Sequence, residues 1–140
     1  MKKIVYLVIG LFLIAGVSGC SNVGTTTVTC KSDKISKSPV EYHYDIYKIK
    51  NNEIKSFELY SIRTYDEESL KEVSLDEIIK DLEKDGDYKV EKLNGKEIKL
   101  IDKNPVNPFR DINAENMAEF IKQQMESKDF SPYKYSCTIK

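Results

Sequence analysis

Few side chains in this 140-residue chain could carry out catalysis, and its one histidine is His43. A histidine-dependent hydrolase needs a nucleophile and an orienting group beside the ring, and no serine here lies in a Gly-x-Ser-x-Gly turn. The consecutive acids Asp66, Glu67 and Glu68 fit the start of a helix, where they stabilise its dipole. We therefore predict that the protein is not an enzyme, with a hydrolase using paired carboxylates as the weaker alternative.

The first nineteen residues have the pattern of an export signal. Lys2 and Lys3 precede an apolar run over residues 4–15, and small residues precede Cys20. The segment Val17-Ser18-Gly19-Cys20 resembles the lipobox of bacterial lipoproteins. This resemblance implies that the Cys20 thiol takes a diacylglyceryl group and that the signal is removed before it. The mature protein would then be lipid-anchored on the extracytoplasmic face of the cell membrane.

Two alternatives to lipidation remain for this segment. A retained transmembrane helix would have only the sixteen residues 4–19, which is short of the ~20 needed to cross the hydrocarbon. An ordinary signal peptide would leave Cys20 as a third, unpaired thiol outside the cytoplasm. A diacylglyceryl group supplies the two chains that stable anchoring requires. Residues 20–24 would form a short tether reaching ~15 Å, followed by one domain over residues 25–140.

The other two cysteines, Cys30 and Cys137, form an even pair in an exported chain, which favours a disulfide. Residues 25–31 and 133–139 both alternate in the manner of strands, so that each cysteine points to the apolar side. If these first and last strands are neighbours, the two side chains can meet. The alternative is two buried free thiols.

No metal or cofactor site is indicated. Zinc would require a cysteine thiolate near His43 without any supporting ligand spacing. The aspartates between residues 81 and 87 lack the ligand pattern of a calcium-binding loop, and the six glycines are scattered, so that no phosphate-binding loop is formed. Without Lys2 and Lys3, 20 basic and 23 acidic residues remain. Because their signs alternate along the chain, we expect no nucleic-acid partner.

A long hairpin is predicted over residues 40–65, turning at Asn51-Asn52, since asparagine tolerates the left-handed backbone of a tight turn. In the expected register, Tyr44 lies opposite Leu59. The apolar residues of this face define the expected core side. They are Tyr42, Tyr44, Ile46, Phe57 and Leu59.

The second face of the hairpin is predicted to be partly wet, because Asp45 lies opposite Glu58 in this register. It also carries His43, Tyr47 and Tyr60, which form our candidate binding surface. The alternative is that this strip packs beneath a further layer of the fold.

The remaining elements complete an α+β pattern. Ser74-x-x-Glu77 fits a capping box before an amphipathic helix, and residues 88–102 form a second hairpin in which Tyr88 is expected opposite Leu100. Asn113 is the expected N-cap of a second helix. The predicted fold is a mostly antiparallel sheet of about 5–6 strands with two amphipathic helices packed on one face.

This arrangement resembles the small YehR-like bacterial lipoproteins, a family of unknown function. The likeness rests on the lipobox at Cys20, on Thr27-Val28-Thr29-Cys30 and on Tyr135-Ser136-Cys137-Thr138, together with the tyrosine-rich hairpin and two helices between them. It implies an extracytoplasmic α+β lipoprotein and no assigned activity.

The sequence thus predicts a non-catalytic binding module, held at the membrane by its diacylglyceryl anchor, that recognises a protein partner or a small ligand. The alternative is a structural or protective envelope lipoprotein of the immunity or exclusion type, which would act by occupancy.

Overall fold

The computed structural model describes residues 24–140. The predicted signal peptide (1–19), the lipidation site Cys20 and residues 21–23 of the tether lie outside the described residues. The strands are β1 Thr26–Ser32, β2 Ser36–Lys37, β3 Val40–Lys50, β4 Glu53–Thr64, β5 Tyr88–Lys92, β6 Glu97–Asp102 and β7 Tyr135–Ile139. The helices are α1 Ser69–Glu72, α2 Leu75–Lys84 and α3 Met117–Glu126.

The strands form one antiparallel sheet in the order β5-β6-β4-β3-β1-β7, with the short β2 paired to the start of β3. This confirms the α+β class. The described part of the chain has seven strands and three helices, whereas about 5–6 strands and two helices were predicted. The additions are the two-residue β2 and the single turn α1, both too short to leave a periodic signal in the sequence.

The first and last strands are neighbours, and Cys30 lies directly opposite Cys137. Their sulfurs form a disulfide across 107 residues of chain, with the two Cα atoms 4.0 Å apart. The predicted disulfide is therefore confirmed, and both side chains are buried in the core.

The long hairpin turns at Asn51 and Asn52, which both have positive φ angles of 53° and 61°. This turn was predicted, and the first pairs after it follow the expected register, with Ile49 opposite Ile54. The register then shifts between Lys48 and Ile49. Beyond this β-bulge every pair differs from the prediction by one residue, so that Tyr44 faces Tyr60.

The predicted roles of the two faces of β3 are reversed. The one-residue shift also moves each β4 residue beyond the bulge to the other face relative to β3, because successive strand residues point to opposite sides. The core side of β3 carries Tyr47 and Ile49, which are buried. The prediction that Tyr42, Tyr44 and Ile46 face the core is wrong. They lie on the other side of the sheet, which we call the open face, and are half-exposed.

All three helices pack on the covered side of the sheet, over two separate apolar clusters. The first joins α3 to the β1, β3 and β7 end of the sheet, with Met117, Ile121 and Met125 of the helix fully or almost fully buried. The second joins α1 and α2 to β5 and β6 around Ile98 and Leu100. In that second hairpin Tyr88 pairs with Asp102, two residues away from the predicted partner. The predicted apolar face is retained, because a shift of two keeps each side chain on its side.

Side-chain hydrogen bonds cap the starts of α2 and α3. Ser74 and Glu77 form the predicted capping box of α2. The N-cap of α3 is Asn116, whose side chain accepts a hydrogen bond from the Glu119 amide, so the prediction of Asn113 is wrong. Asn52 of the hairpin turn also accepts from the Met117 amide, at 2.7 Å. Within residues 24–140, no helix is both long and apolar enough to cross a membrane.

One outer edge of the sheet is formed by β7. Glu126, the last residue of α3, accepts a hydrogen bond of 2.9 Å from the backbone amide of Cys137 in this strand. The helix end thereby satisfies an amide on the outer edge of the sheet.

Candidate functional site

The three residues of the predicted binding surface do not lie together. Tyr47 is fully buried beneath α3, with its ring 4.8 Å from that of Phe57 and its hydroxyl 3.6 Å from Met125 Sδ. The prediction that Tyr47 belongs to a binding surface is therefore wrong. The alternative predicted from the sequence, in which this face of the hairpin packs beneath another layer of the fold, describes Tyr47 correctly.

His43 also lies on the covered side, in a polar stretch of the sheet between the two apolar clusters. Its Nε2 is 3.2 Å from Glu41 Oε1, and Glu41 also accepts a hydrogen bond of 2.8 Å from Arg63 Nε. Together with Tyr88 and Asp102, among others, these side chains line a cleft of about 160 Å³. Arg63 thus balances the charge of a largely buried carboxylate, and His43 contacts the same carboxylate through its ring nitrogen.

Asp45 is the next residue of β3 on this side, and it is 7% exposed. Its Oδ2 is 3.5 Å from the Tyr47 hydroxyl, whereas Oδ1 has no hydrogen-bond partner among the described residues. Burial raises the pKa of Asp45 from 3.8 to about 6, although the hydrogen bond from Tyr47 opposes the rise. The site therefore favours a neutral carboxyl group.

Tyr60 lies on the open face, across the sheet from His43. Its ring stacks on that of Tyr44, with centroids 4.8 Å apart and planes 11° from parallel. Around this pair the open face carries a continuous set of half-buried apolar side chains, which we call the open-face strip. Its members are Tyr42, Tyr44, Ile46, Tyr60, Ile62 and Ile101.

Two lysines lie over the rings of the open-face strip. Lys31 Nζ is 4.5 Å from the centroid of Tyr42, and Lys99 Nζ is 4.1 Å from that of Tyr60. Such cation–π contacts contribute about 0.5–1 kcal/mol each at exposed sites. Burial, followed by the nearby Tyr44 and Glu58, raises the pKa of Tyr60. Lys99 Nζ also lies 3.8 Å from Glu58 Oε1, so its charge is paired. The strip is thus an aromatic surface with the positive charge of Lys31 at one border.

The open-face strip is unusual for the uncovered side of an antiparallel sheet, which commonly alternates to polar residues. Tyrosine is enriched in protein–protein interfaces and among their most energetic residues. The sequence analysis assigned Tyr42 and Tyr44 to the core and so missed them as surface residues. A signal was available in Lys31 and Lys99, since charged residues sharing a face with tyrosines indicate solvent.

Among residues 24–140, no three histidine, cysteine, aspartate or glutamate side chains lie together so that they could hold a metal ion.

The chain matches no protein-family model, no curated protein and no solved structure with which we compared it. The resemblance to the YehR-like lipoproteins therefore stays a prediction that rests on the pattern of residues.

Proposed function

We propose that this protein is an extracytoplasmic lipoprotein anchored to the cell membrane through Cys20, and that its domain binds a partner protein through the open-face strip. The anchor is supported by the lipobox pattern at residues 17–20. The observation that carries the binding proposal is the position of the strip. Six apolar side chains form a contiguous surface on the side of the sheet opposite the three helices.

A protein partner fits this surface better than a small ligand does. Small-molecule sites are concave and bury most of their ligand, whereas the open-face strip lies on the surface of a sheet. Lys31 and Lys99 flank its rings. Lys99 is paired with Glu58. A complementary partner would therefore present an apolar or aromatic centre with an acidic side chain facing Lys31, because matched charges orient the two surfaces.

The proposal is tested by photocrosslinking in native membranes. A benzoylphenylalanine placed at Ile62 of the strip should crosslink to a protein neighbour that the same probe at Tyr88 does not capture. Tyr88 is 39% exposed and lies on the covered side of the sheet. The neighbour is identified by mass spectrometry, and its binding to the purified lipoprotein is then measured.

The Tyr44→Thr/Tyr60→Thr double variant should weaken that binding by about 30-fold or more, since two interface hot spots cost over 1 kcal/mol each. Threonine keeps a high strand propensity, so folding should be preserved. Tyr88→Thr is the matched control and should bind as the wild type does. Equal crosslinking from Ile62 and Tyr88, or unchanged affinity of the double variant, would contradict the proposal.

A further inference from the structure

Three chain segments meet at one end of the sheet. β1 begins there, with Thr26 opposite Ile49. The last residue, Lys140, lies there too, since its carbonyl accepts a hydrogen bond of 2.8 Å from the Thr27 amide. The hairpin turn at Asn51 and Asn52 follows β3 at the same end. We call this the tether end of the domain.

The chain that leads from the lipidation site enters the domain at the tether end. Thr26 is six residues after Cys20, and six fully extended steps of the chain span at most about 22 Å. With Cys20 anchored as proposed above, the tether end cannot lie far from the membrane surface.

The loop over residues 103–116 returns the chain to this end. Asn52 Nδ2 donates a hydrogen bond of 2.5 Å to the Ala114 carbonyl, and Ile112 and Arg110 line a hollow next to Asn52. The loop is held from inside the domain, because Phe109 is 5% exposed and its ring stacks on that of Phe130 with centroids 5.3 Å apart. Its conformation is therefore fixed by packing.

This held loop presents apolar side chains outward. Val106, between two prolines, is 76% exposed, and Ile112 is 43% exposed. Lys50 and Lys140 are exposed at the same end. Of the acidic side chains there, Glu53 is paired with Lys55 and Asp111 with Arg110, and Glu115 is exposed. Apolar side chains bordered by lysines suit the bilayer interface, since the aliphatic part of each lysine side chain enters the apolar zone while its ammonium group stays at the headgroups.

We propose that Val106 and Ile112 insert into the headgroup region of the same phospholipid bilayer that holds Cys20. This inference rests on the lipid anchor proposed above. The anchor and the loop are two separate contacts, so together they restrict the tilt of the domain. The strands then point away from the membrane, and Tyr44, seven residues before the turn, lies about 20 Å above the tether end at ~3.3 Å per strand residue.

The absence of tryptophan from the sequence makes a clean optical test possible. The natively acylated protein is placed in vesicles of phosphatidylcholine and phosphatidylglycerol with brominated acyl chains, which quench tryptophan on contact. Val106→Trp and Ile112→Trp are compared with Leu93→Trp. Leu93 is 46% exposed, close to the exposure of Ile112, but it lies in the β5–β6 loop at the far end of the sheet.

We expect the emission of I112W and V106W to be shifted to the blue by the apolar interface and to be lowered about twofold when the lipid is brominated, because interfacial side chains lie about 5–10 Å inside the headgroup boundary. L93W should emit as in water. Equal emission from all three variants, on protein that floats with the vesicles and carries the lipid mass at Cys20, overturns the loop contact alone. Protein that neither floats nor carries that mass overturns the anchor and the loop contact together.

Discussion

The buried carboxyl of Asp45 makes a sharp prediction about how stability depends on pH. Its pKa is about 6 in the folded protein, against 3.8 for an unperturbed aspartate. Between these values the folded state binds more protons than the unfolded state, so the free energy of unfolding falls as pH rises. The neutral carboxyl contributes fully below pH 3.8, and that contribution is lost as pH rises through 6.

The size of the effect follows from the shift. A difference of about two pKa units at 1.36 kcal/mol each gives about 3 kcal/mol between low and neutral pH. Asp45→Asn keeps the shape of the side chain and removes the charge. The variant should therefore differ little from the wild type near pH 4 and should be about 2–3 kcal/mol more stable near pH 7.5.

The assay is urea unfolding of the full-length protein in a mild detergent, followed by near-ultraviolet circular dichroism of its tyrosines from pH 4 to pH 8. With a urea m-value of about 1–3 kcal/mol/M, the midpoint should move by about 1–2 M at neutral pH. Other acids titrate in both proteins, so only the difference between them reports on Asp45. Asp87→Asn, at an exposed turn, is the control. A difference that stays constant across this range, or that reverses in sign, would refute the reasoning.

Two further predictions follow from the geometry of the long hairpin. Tyr47→Ala should lower the free energy of unfolding by about 3–5 kcal/mol, as other buried aromatic truncations do. Tyr44→Ala on the open face should lower it by under about 1 kcal/mol. Thermal unfolding of both variants reports which face is the core, and equal losses of stability would contradict the assignment. Asn51 and Asn52 both have positive φ, but of these two only Asn52 accepts a hydrogen bond from the Met117 amide at the start of α3. Asn52→Ala should therefore be less stable than Asn51→Ala by about 1–2 kcal/mol, and equal midpoints in urea would show that the cap contributes nothing.

Local signals in the sequence predicted the hairpin turn, the capping box of α2 and the disulfide correctly. Each depends on a few residues whose chemistry is decisive by itself, such as asparagine in a left-handed turn or serine at an N-cap. The N-cap of α3 was assigned wrongly to Asn113, since Asn116 suits the position equally well by residue type. The contact of Asn52 with the Met117 amide accompanies the later start, and sequence alone does not show it.

The faces of β3 were assigned wrongly for a physical reason. The expected pairing of Asp45 with Glu58 marked one face of β3 as wet, yet that face is covered, and Glu58 lies opposite Ile46 instead. Arg63 balances the charge of Glu41, and burial favours the neutral form of Asp45. Both compensations arise only in the folded protein, as does the bulge that moves Tyr60 to the open face. The sequence therefore identified the hairpin that carries the half-exposed tyrosines but not the face on which Tyr42 and Tyr44 lie.

If the protein is anchored as proposed above, the hydrogen bond from the Cys137 amide to Glu126 affects how neighbouring copies can associate in the bilayer. Anchored proteins diffuse in two dimensions and collide repeatedly in similar orientations, so an outer strand with free amides would invite neighbours to add on edge to edge. At Cys137 the backbone amide already donates to the Glu126 carboxylate, so the carbonyl of an approaching strand could not accept from it. Glu126 at the end of α3 thus helps to prevent neighbouring copies from pairing edge to edge along β7.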